Sequence, residues 1–101
     1  MADLQKEALQ KHLSRHFSPR LMSAFSNVSR VLFVRKEDLD HAWGDYPLSI
    51  GHGQTISQPT TVMIMLQALD IKPGHKVLEV GSGSGWNAAL MGYLVGSKCQ
   101  V

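Results

Sequence analysis

The sequence predicts an α/β fold in which several helices precede one strand, a glycine loop and a further helix. Three observations support this prediction. Apolar residues recur at helical spacing through the amino-terminal third, a short apolar run follows the turn at 72–74, and alternating glycines separate that run from another apolar stretch. A strand that breaks into glycines and then a helix is typical of a nucleotide-cofactor site.

The first two helices are indicated by spacing and by a cap. Ser18 and Pro19 form an N-cap followed by proline at the first helical position, which predicts the start of a second helix. That helix would bury Leu21, Met22, Phe25 and Val28. The residues at helical spacing in the first helix are Leu4, Ala8, Leu9, Leu13 and Phe17.

Two further helices flank the predicted strand. Residues 57–59 can open a third helix, and 62–66 is apolar on nearly all sides, so we expect that helix to be buried against a sheet. The fourth helix covers 87–94 and ends near Gly96. Residues 98–101 resemble the beginning of a second strand. The segments 30–33 and 35–40 are expected to form a short turn or strand and a polar loop or helical turn.

The predicted strand is the apolar run 77–80, which fits a central strand covered on both faces. Glu79 is the exception in it. Because a carboxylate is costly to bury without partners, we expect this side chain to face a crevice or to cap the following amides. Gly81, Gly83 and Gly85 permit positive φ angles and close approach of a ligand to the backbone.

The glycine spacing excludes two common phosphate sites. Trp86 stands where a dinucleotide fingerprint has its third glycine, and no Lys-Ser/Thr pair of a P-loop follows. A glycine-rich turn with no ligand is the simpler alternative. Trp86 itself could shelter a cofactor pocket or pack within the core.

The segment 45–59 is unusual for ordinary structure. It is too rich in Gly and Pro for a helix and too irregular for a regular strand. It contains Asp45-Tyr-Pro-Leu-Ser-Ile-Gly51 and then Thr55-Ile-Ser-Gln-Pro59. The order of these blocks, followed by a helix and the glycine loop, resembles protein-L-isoaspartate O-methyltransferases. The run Glu79-x-Gly-x-Gly-x-Gly85 likewise resembles the first motif of S-adenosylmethionine-dependent methyltransferases, and the combined resemblance covers roughly residues 20–101.

The resemblance implies a Rossmann-like methyltransferase fold and a function. Residues 1–56 would form an amino-terminal helical and substrate-side segment, and 57–101 would begin the α/β domain. The implied reaction transfers a methyl group from S-adenosylmethionine to the α-carboxylate of L-isoaspartyl residues in damaged proteins. Ser57 would orient the substrate carboxylate as the catalytic residue, whereas Asp45 and Pro47 would shape the segment. The cofactor-binding residues would be Gln54, Thr55, Ser57, Glu79, Gly81, Ser82, Gly83 and Gly85.

The resemblance also implies an incomplete domain. The family's sheet has further strands, and its second strand ends in an acidic residue that grips the cofactor ribose. We therefore expect an amino-terminal piece or truncated relative that is inactive alone and that could form homo-oligomers through exposed strand edges. Two alternatives stay open: a non-catalytic methyltransferase-like binding module, and a methyltransferase that acts on another substrate.

Charge and composition limit the classes of partner that the chain is expected to have. Residues 1–36 hold seven basic and two acidic residues, and 37–101 hold three basic and six acidic ones, which accounts for the net charge of +2. Because the basic residues are dispersed, a solvated face is a better interpretation than a nucleic-acid interface.

The single cysteine, Cys99, and the lack of a long apolar run or signal-like start predict a soluble cytoplasmic protein with no membrane contact. His12 and His16 share a helical face, but no third metal ligand is evident, so no metal site is predicted.

Overall fold

The computed structural model describes residues 2–51, 53–81 and 83–96. Four α-helices are present in this part: α1 (Ala2–Ser14), α2 (Pro19–Asn27), α3 (Pro59–Leu69) and α4 (Trp86–Val95). Two 3₁₀ helices, Arg30–Phe33 and Lys36–His41, separate α2 from the strands β1 (Leu48–Gly51) and β2 (Gln54–Ile56). Ser82 and the strand predicted to begin at 98–101 lie outside the described residues.

The helix boundaries follow from local capping. The Ser18 hydroxyl accepts a hydrogen bond from the Leu21 amide at 3.2 Å, and Pro19 occupies the first helical position, as predicted. Helix α4 ends at Gly96, whose φ of 84° suits glycine, and the Gly96 amide donates to the Gly92 carbonyl. The start of α2 and the end of α4 are therefore determined by residues within one turn of each boundary.

Helix α3 has a cap that comes from a distant part of the chain. Its N-cap residue, Gln58, makes no capping hydrogen bond with its side chain. The Asp45 carboxylate instead accepts from the Thr60 amide at 2.9 Å and from the Thr60 hydroxyl. A carboxylate at a helix amino terminus satisfies an otherwise unpaired amide and interacts favourably with the helix dipole. Asp45 thus joins the loop before β1 to the helix after β2.

Strands β1 and β2 form an antiparallel hairpin, so the prediction that 45–59 is too irregular for strands was wrong. Leu48 lies opposite Ile56 and Ser49 opposite Thr55, with an irregularity before the pair Gly51 and Gln54. The φ angles of Gly51 and Gly53 are 95° and 71°. Glycine tolerates such angles, so the same residues that disfavoured a strand permit the tight reversal between two short ones.

The core lies among the helices. Helix α2 packs against α1, α3 and α4, and the buried side chains come from all four helices and from the segments between them. Trp86, at the start of α4, is almost fully buried; it packs edge-on against Phe25, with ring centroids 6.3 Å apart, and donates its indole N–H to the Val28 carbonyl. These contacts place Trp86 in the core, and a role in sheltering a cofactor pocket stays a prediction.

The outer surface of α3 and the run 77–80 are exposed, contrary to expectation. Val62, Met63 and Leu66 are buried, whereas Met65 is 67% exposed and Ile64 also faces solvent. Leu78 and Val80 are 87% and 90% exposed, and no strand pairs with 77–80 among the described residues. A strand needs a hydrogen-bonded neighbour to form a ladder, and within the described residues this run has none.

Candidate functional site

A cleft of about 690 Å³ lies between the end of the hairpin, helix α3 and the segment that leads into α4. Five of the eight predicted site residues line it, namely Thr55, Ser57, Glu79, Gly81 and Gly83. Apolar lining comes from α3, through residues such as Met65 and Leu69, and from the run 77–80 and the start of α4. Gln54 and Gly85 do not line the cleft, and Ser82 lies outside the described residues. The cleft therefore combines a polar group, open backbone and an apolar wall, which is typical of a small-molecule site.

Glu79 has one carboxylate oxygen paired and the other buried without a partner. Its Oε2 accepts a hydrogen bond from the Asn87 amide group at 2.8 Å. Its Oε1 has no hydrogen-bond partner among the described residues, although that atom is inaccessible to solvent. Buried polar atoms are nearly always paired in proteins, so an unpaired carboxylate oxygen in a cleft indicates a place for a ligand donor.

The glycine loop presents open backbone to this carboxylate. Gly81, Gly83 and Gly85 have φ angles of 76°, 55° and 90°. A Cβ atom at Gly81 or Gly83 would meet no neighbour within 4 Å, so the backbone conformation, rather than crowding, favours glycine there. Gly85 is the N-cap of α4, and a Cβ on it would contact the Phe33 ring at 3.8 Å. Gly85 therefore shapes the turn into the helix.

Ser57 stands between β2 and α3 with its side chain exposed. Its hydroxyl makes no hydrogen bond to the described residues, whereas its backbone carbonyl accepts from the Arg30 guanidinium at 3.1 Å. The main chain is thus fixed while the hydroxyl can still bind a ligand. The neighbouring Thr55 is also exposed on β2.

Arg30 is the residue that the sequence analysis missed. Its side chain is fully buried, and its guanidinium donates to the carbonyls of Ala42, Gly44, Tyr46 and Ser57 at 2.5–3.3 Å. Burial lowers the pKa of Arg30 to about 10, and the nearby Tyr46 and Asp45 act in the opposite direction. The available signal was its place within the apolar stretch Val28–Val34, where a solvated charge is unexpected.

The remaining candidates form no site in the described part of the chain. The rings of His12 and His16 touch edge to face, with centroids 5.5 Å apart. Across residues 2–51, 53–81 and 83–96, no group of three or more His, Cys, Asp or Glu side chains is placed to hold a metal ion. Within the same ranges, no helix has the length and apolar character needed to cross a membrane.

The fold and the site define a class of protein. The helical layer, the glycine loop and Glu79 form the amino-terminal part of a Rossmann-like methyltransferase fold, which the structural neighbours below share. The chain belongs to the family described as protein-L-isoaspartate(D-aspartate) O-methyltransferase (PCMT), whose family model matches residues 4–101.

Individual relatives agree with this assignment. A protein-L-isoaspartate O-methyltransferase of Methanothrix thermoacetophila is 50% identical over 98 residues, which are 97% of this chain and 47% of the relative. Its counterpart in Aeropyrum pernix is 54% identical over 78 residues, covering 77% of this chain and 30% of the relative. The chain thus spans about half the length, or less, of the curated relatives it matches.

Two solved structures share the fold. One, a protein-L-isoaspartate O-methyltransferase, superposes with a TM-score of 0.78 at 30% identity, over 98% of this chain and 32% of its own. The other, from Plasmodium falciparum, is described as a protein-L-isoaspartate O-methyltransferase in complex with S-adenosyl-L-homocysteine. It matches with a TM-score of 0.77 at 27% identity, over 89% of this chain and 42% of its own.

Proposed function

We propose that this chain supplies the S-adenosylmethionine site and the active-site hydroxyl of an enzyme that methylates the carboxylate of L-isoaspartyl residues in damaged proteins. The observation that carries the proposal is the Oε1 of Glu79, which has no partner in the described ranges and belongs to a residue that shares a cleft with Ser57 and the glycine loop. The family and the relatives named above support the reaction type.

The residues of the cleft fit this cofactor. Its amino-acid end carries an ammonium group, and Glu79 Oε1, which has no donor among the residues that the structure describes, could accept a hydrogen bond from such a group. The open backbone at Gly81 and Gly83 allows close approach without a lysine, which suits a ligand that has no phosphates. We assign Thr55 and Ser57 to the boundary between cofactor and substrate. Gly85 acts through the turn, and the roles of Gln54 and Ser82 stay predictions.

The chemistry needs little from acid–base groups. S-adenosylmethionine, when bound, supplies an electrophilic methyl group on a sulfonium sulfur. A substrate carboxylate is ionised at neutral pH and is already a competent nucleophile, so no general base is required. The role of Ser57 is then to orient that carboxylate by donating a hydrogen bond, because catalysis depends on alignment and on exclusion of water.

We assign catalysis to a longer enzyme and expect this chain alone to be inactive. The exposed side chains of Leu78 and Val80 favour a second candidate, a binding module that associates through the run 77–80, including with another copy of itself. We propose no nucleic-acid partner, because several amino-terminal cations already have partners: Lys6 lies over Trp43, Arg20 binds backbone carbonyls and Arg35 pairs with Asp38.

We place the protein in the cytoplasm, because a single cysteine suits a reducing compartment.

Calorimetric titration of the chain with S-adenosylhomocysteine tests the site. Valine at position 83 is strained because the φ of Gly83 is 55°, so Gly83→Val should abolish binding. Gly74→Val is the matched control, since Gly74 has a φ of 92°, equally open surroundings and no place in the cleft. We expect the wild type and Gly74→Val to bind saturably and Gly83→Val not to bind. Absence of binding by the wild type would contradict the proposal that this chain forms the cofactor site.

A further inference from the structure

Arg30 connects parts of the chain that are far apart in sequence. Its Nη1 donates to the carbonyls of Ala42 and Gly44, and its Nη2 donates to those of Tyr46 and Ser57. Its guanidinium carbon also lies 5.4 Å from the centre of the Trp86 ring. One buried cation therefore contacts the loop before β1, the residue proposed as catalytic, and the first residue of α4.

Arg30 does not line the cleft itself, but two of the residues that it contacts, Ser57 and Trp86, do. Ser57 lies on one wall of the cleft, and Trp86 follows the glycine loop that lies on another. A buried guanidinium with several carbonyl acceptors has a fixed position, because moving it would leave its N–H groups and the carbonyls unpaired. The distance between Ser57 and the start of α4 is therefore set through Arg30.

We propose that Arg30 is a positioning residue that fixes Ser57 relative to the glycine loop and so sets the width of the cleft. It acts through the Ser57 carbonyl and the Trp86 ring and touches neither cofactor nor substrate. The expected effect of Arg30 on ligand affinity rests on the proposed function, whereas its effect on the position of Ser57 does not.

Arg20 provides a matched control within the same molecule. Its guanidinium donates to the carbonyls of Ile71 and Leu94 and so also joins segments that are distant in sequence. Neither acceptor lines the cleft. Replacing Arg20 removes two guanidinium hydrogen bonds, against four for Arg30, and should lower global stability without altering the relation of Ser57 to α4.

The test compares Arg30→Lys with Arg20→Lys by hydrogen–deuterium exchange. A lysine keeps the charge but presents a compact ammonium, which cannot span the loop and Ser57 as the planar guanidinium does. The reporters are three amides whose acceptors are known: Gly44 to His41, Val62 to Gln58 and Ala89 to Gly85. The free energy of unfolding is measured for both variants, so that global destabilisation can be subtracted.

Arg30→Lys should accelerate exchange at the reporter amides by about tenfold beyond the global effect, whereas Arg20→Lys should add nothing beyond it. Equal acceleration throughout the molecule in Arg30→Lys would overturn the proposal, because it would indicate a purely structural role. If Arg30→Lys does not fold, native-state hydrogen exchange of the wild type in low urea tests the proposal instead. The three amides should then open in one step with a common free energy, and separate opening free energies would overturn it.

A ligand titration separates this proposal from the proposed function. Arg30→Lys should bind S-adenosylhomocysteine about tenfold more weakly than the wild type, and Arg20→Lys should bind it equally well. Unchanged affinity in Arg30→Lys would contradict the effect on cleft width. Absence of binding by the wild type would refute the proposed function, and the exchange measurement would still decide the role of Arg30.

Discussion

At the scale of single residues, the position relative to the cleft distinguishes Arg30 from Glu79, each of which has a buried polar atom without a partner among the described residues. Four backbone carbonyls accept hydrogen bonds from the Arg30 guanidinium, whereas its Nε has no hydrogen-bond partner among the described residues. The Glu79 carboxylate accepts from Asn87 at Oε2, and its Oε1 has no partner within the described part of the chain. Glu79 lines the cleft and Arg30 does not, so we interpret the carboxylate as a contact for a ligand and the guanidinium as part of the structure behind the cleft.

Glu79→Gln tests that distinction. The amide oxygen of glutamine can still accept from Asn87, so the free energy of unfolding should change little. Loss of the negative charge should weaken binding of S-adenosylhomocysteine by roughly tenfold or more, because hydrogen bonds to charged groups contribute about 1.5–3 kcal/mol. Calorimetry measures the affinity and urea titration measures the stability. Glu37→Gln, at an exposed surface pair with Arg35, is the charge-matched control and should leave binding unchanged. Equal affinity of wild type and Glu79→Gln would remove Glu79 from the site.

At the scale of elements, the sequence predicted what local chemistry determines. The start of α2 at Ser18 and Pro19 was predicted correctly because both signals lie within the first turn. The cap of α3 by Asp45 was not recognised, since it joins residues 15 positions apart in sequence. The hairpin was missed because its strands have four and three residues, too short for alternation to show. Of the candidate site, five lining residues came from the motif resemblance, whereas Arg30 depends on tertiary contacts that no motif records.

The two helix caps make a matched pair. Asp45→Ala removes the acceptor of the Thr60 amide, and Ser18→Ala removes that of the Leu21 amide. Each should lower the free energy of unfolding by about 1 kcal/mol, measured by urea titration. Only Asp45→Ala should also weaken binding of S-adenosylhomocysteine, because α3 forms a wall of the cleft and Asp45 holds its amino end. A loss of affinity in Ser18→Ala of the same size would show that the effect is global rather than local.

At the scale of the whole molecule, the helical layer is packed and the sheet side is open. The outward face of α3 and the run 77–80 together expose a set of large apolar side chains: Ile64, Met65, Leu69, Leu78 and Val80. Residues 77–85 predicted the α/β character of the family. The run 77–80 is nevertheless exposed, because a parallel strand is buried only where neighbouring strands and helices cover it. The chain spans about half the length of the relatives it matches, so the described residues show one layer of the fold.

An apolar surface that includes the exposed run 77–80, which pairs with no strand among the described residues, favours association with a second copy of the chain. We expect the weight-average mass in sedimentation equilibrium to rise with protein concentration over the micromolar range. Val80→Lys should lower that association, since a lysine on a strand edge opposes pairing with another chain. Leu32→Lys is the matched control, because Leu32 is a similarly exposed apolar residue outside this surface, and it should associate as the wild type does. A monomeric mass at every concentration would show that the exposed edge does not pair. An equal effect of both lysines would assign the association to charge rather than to this edge.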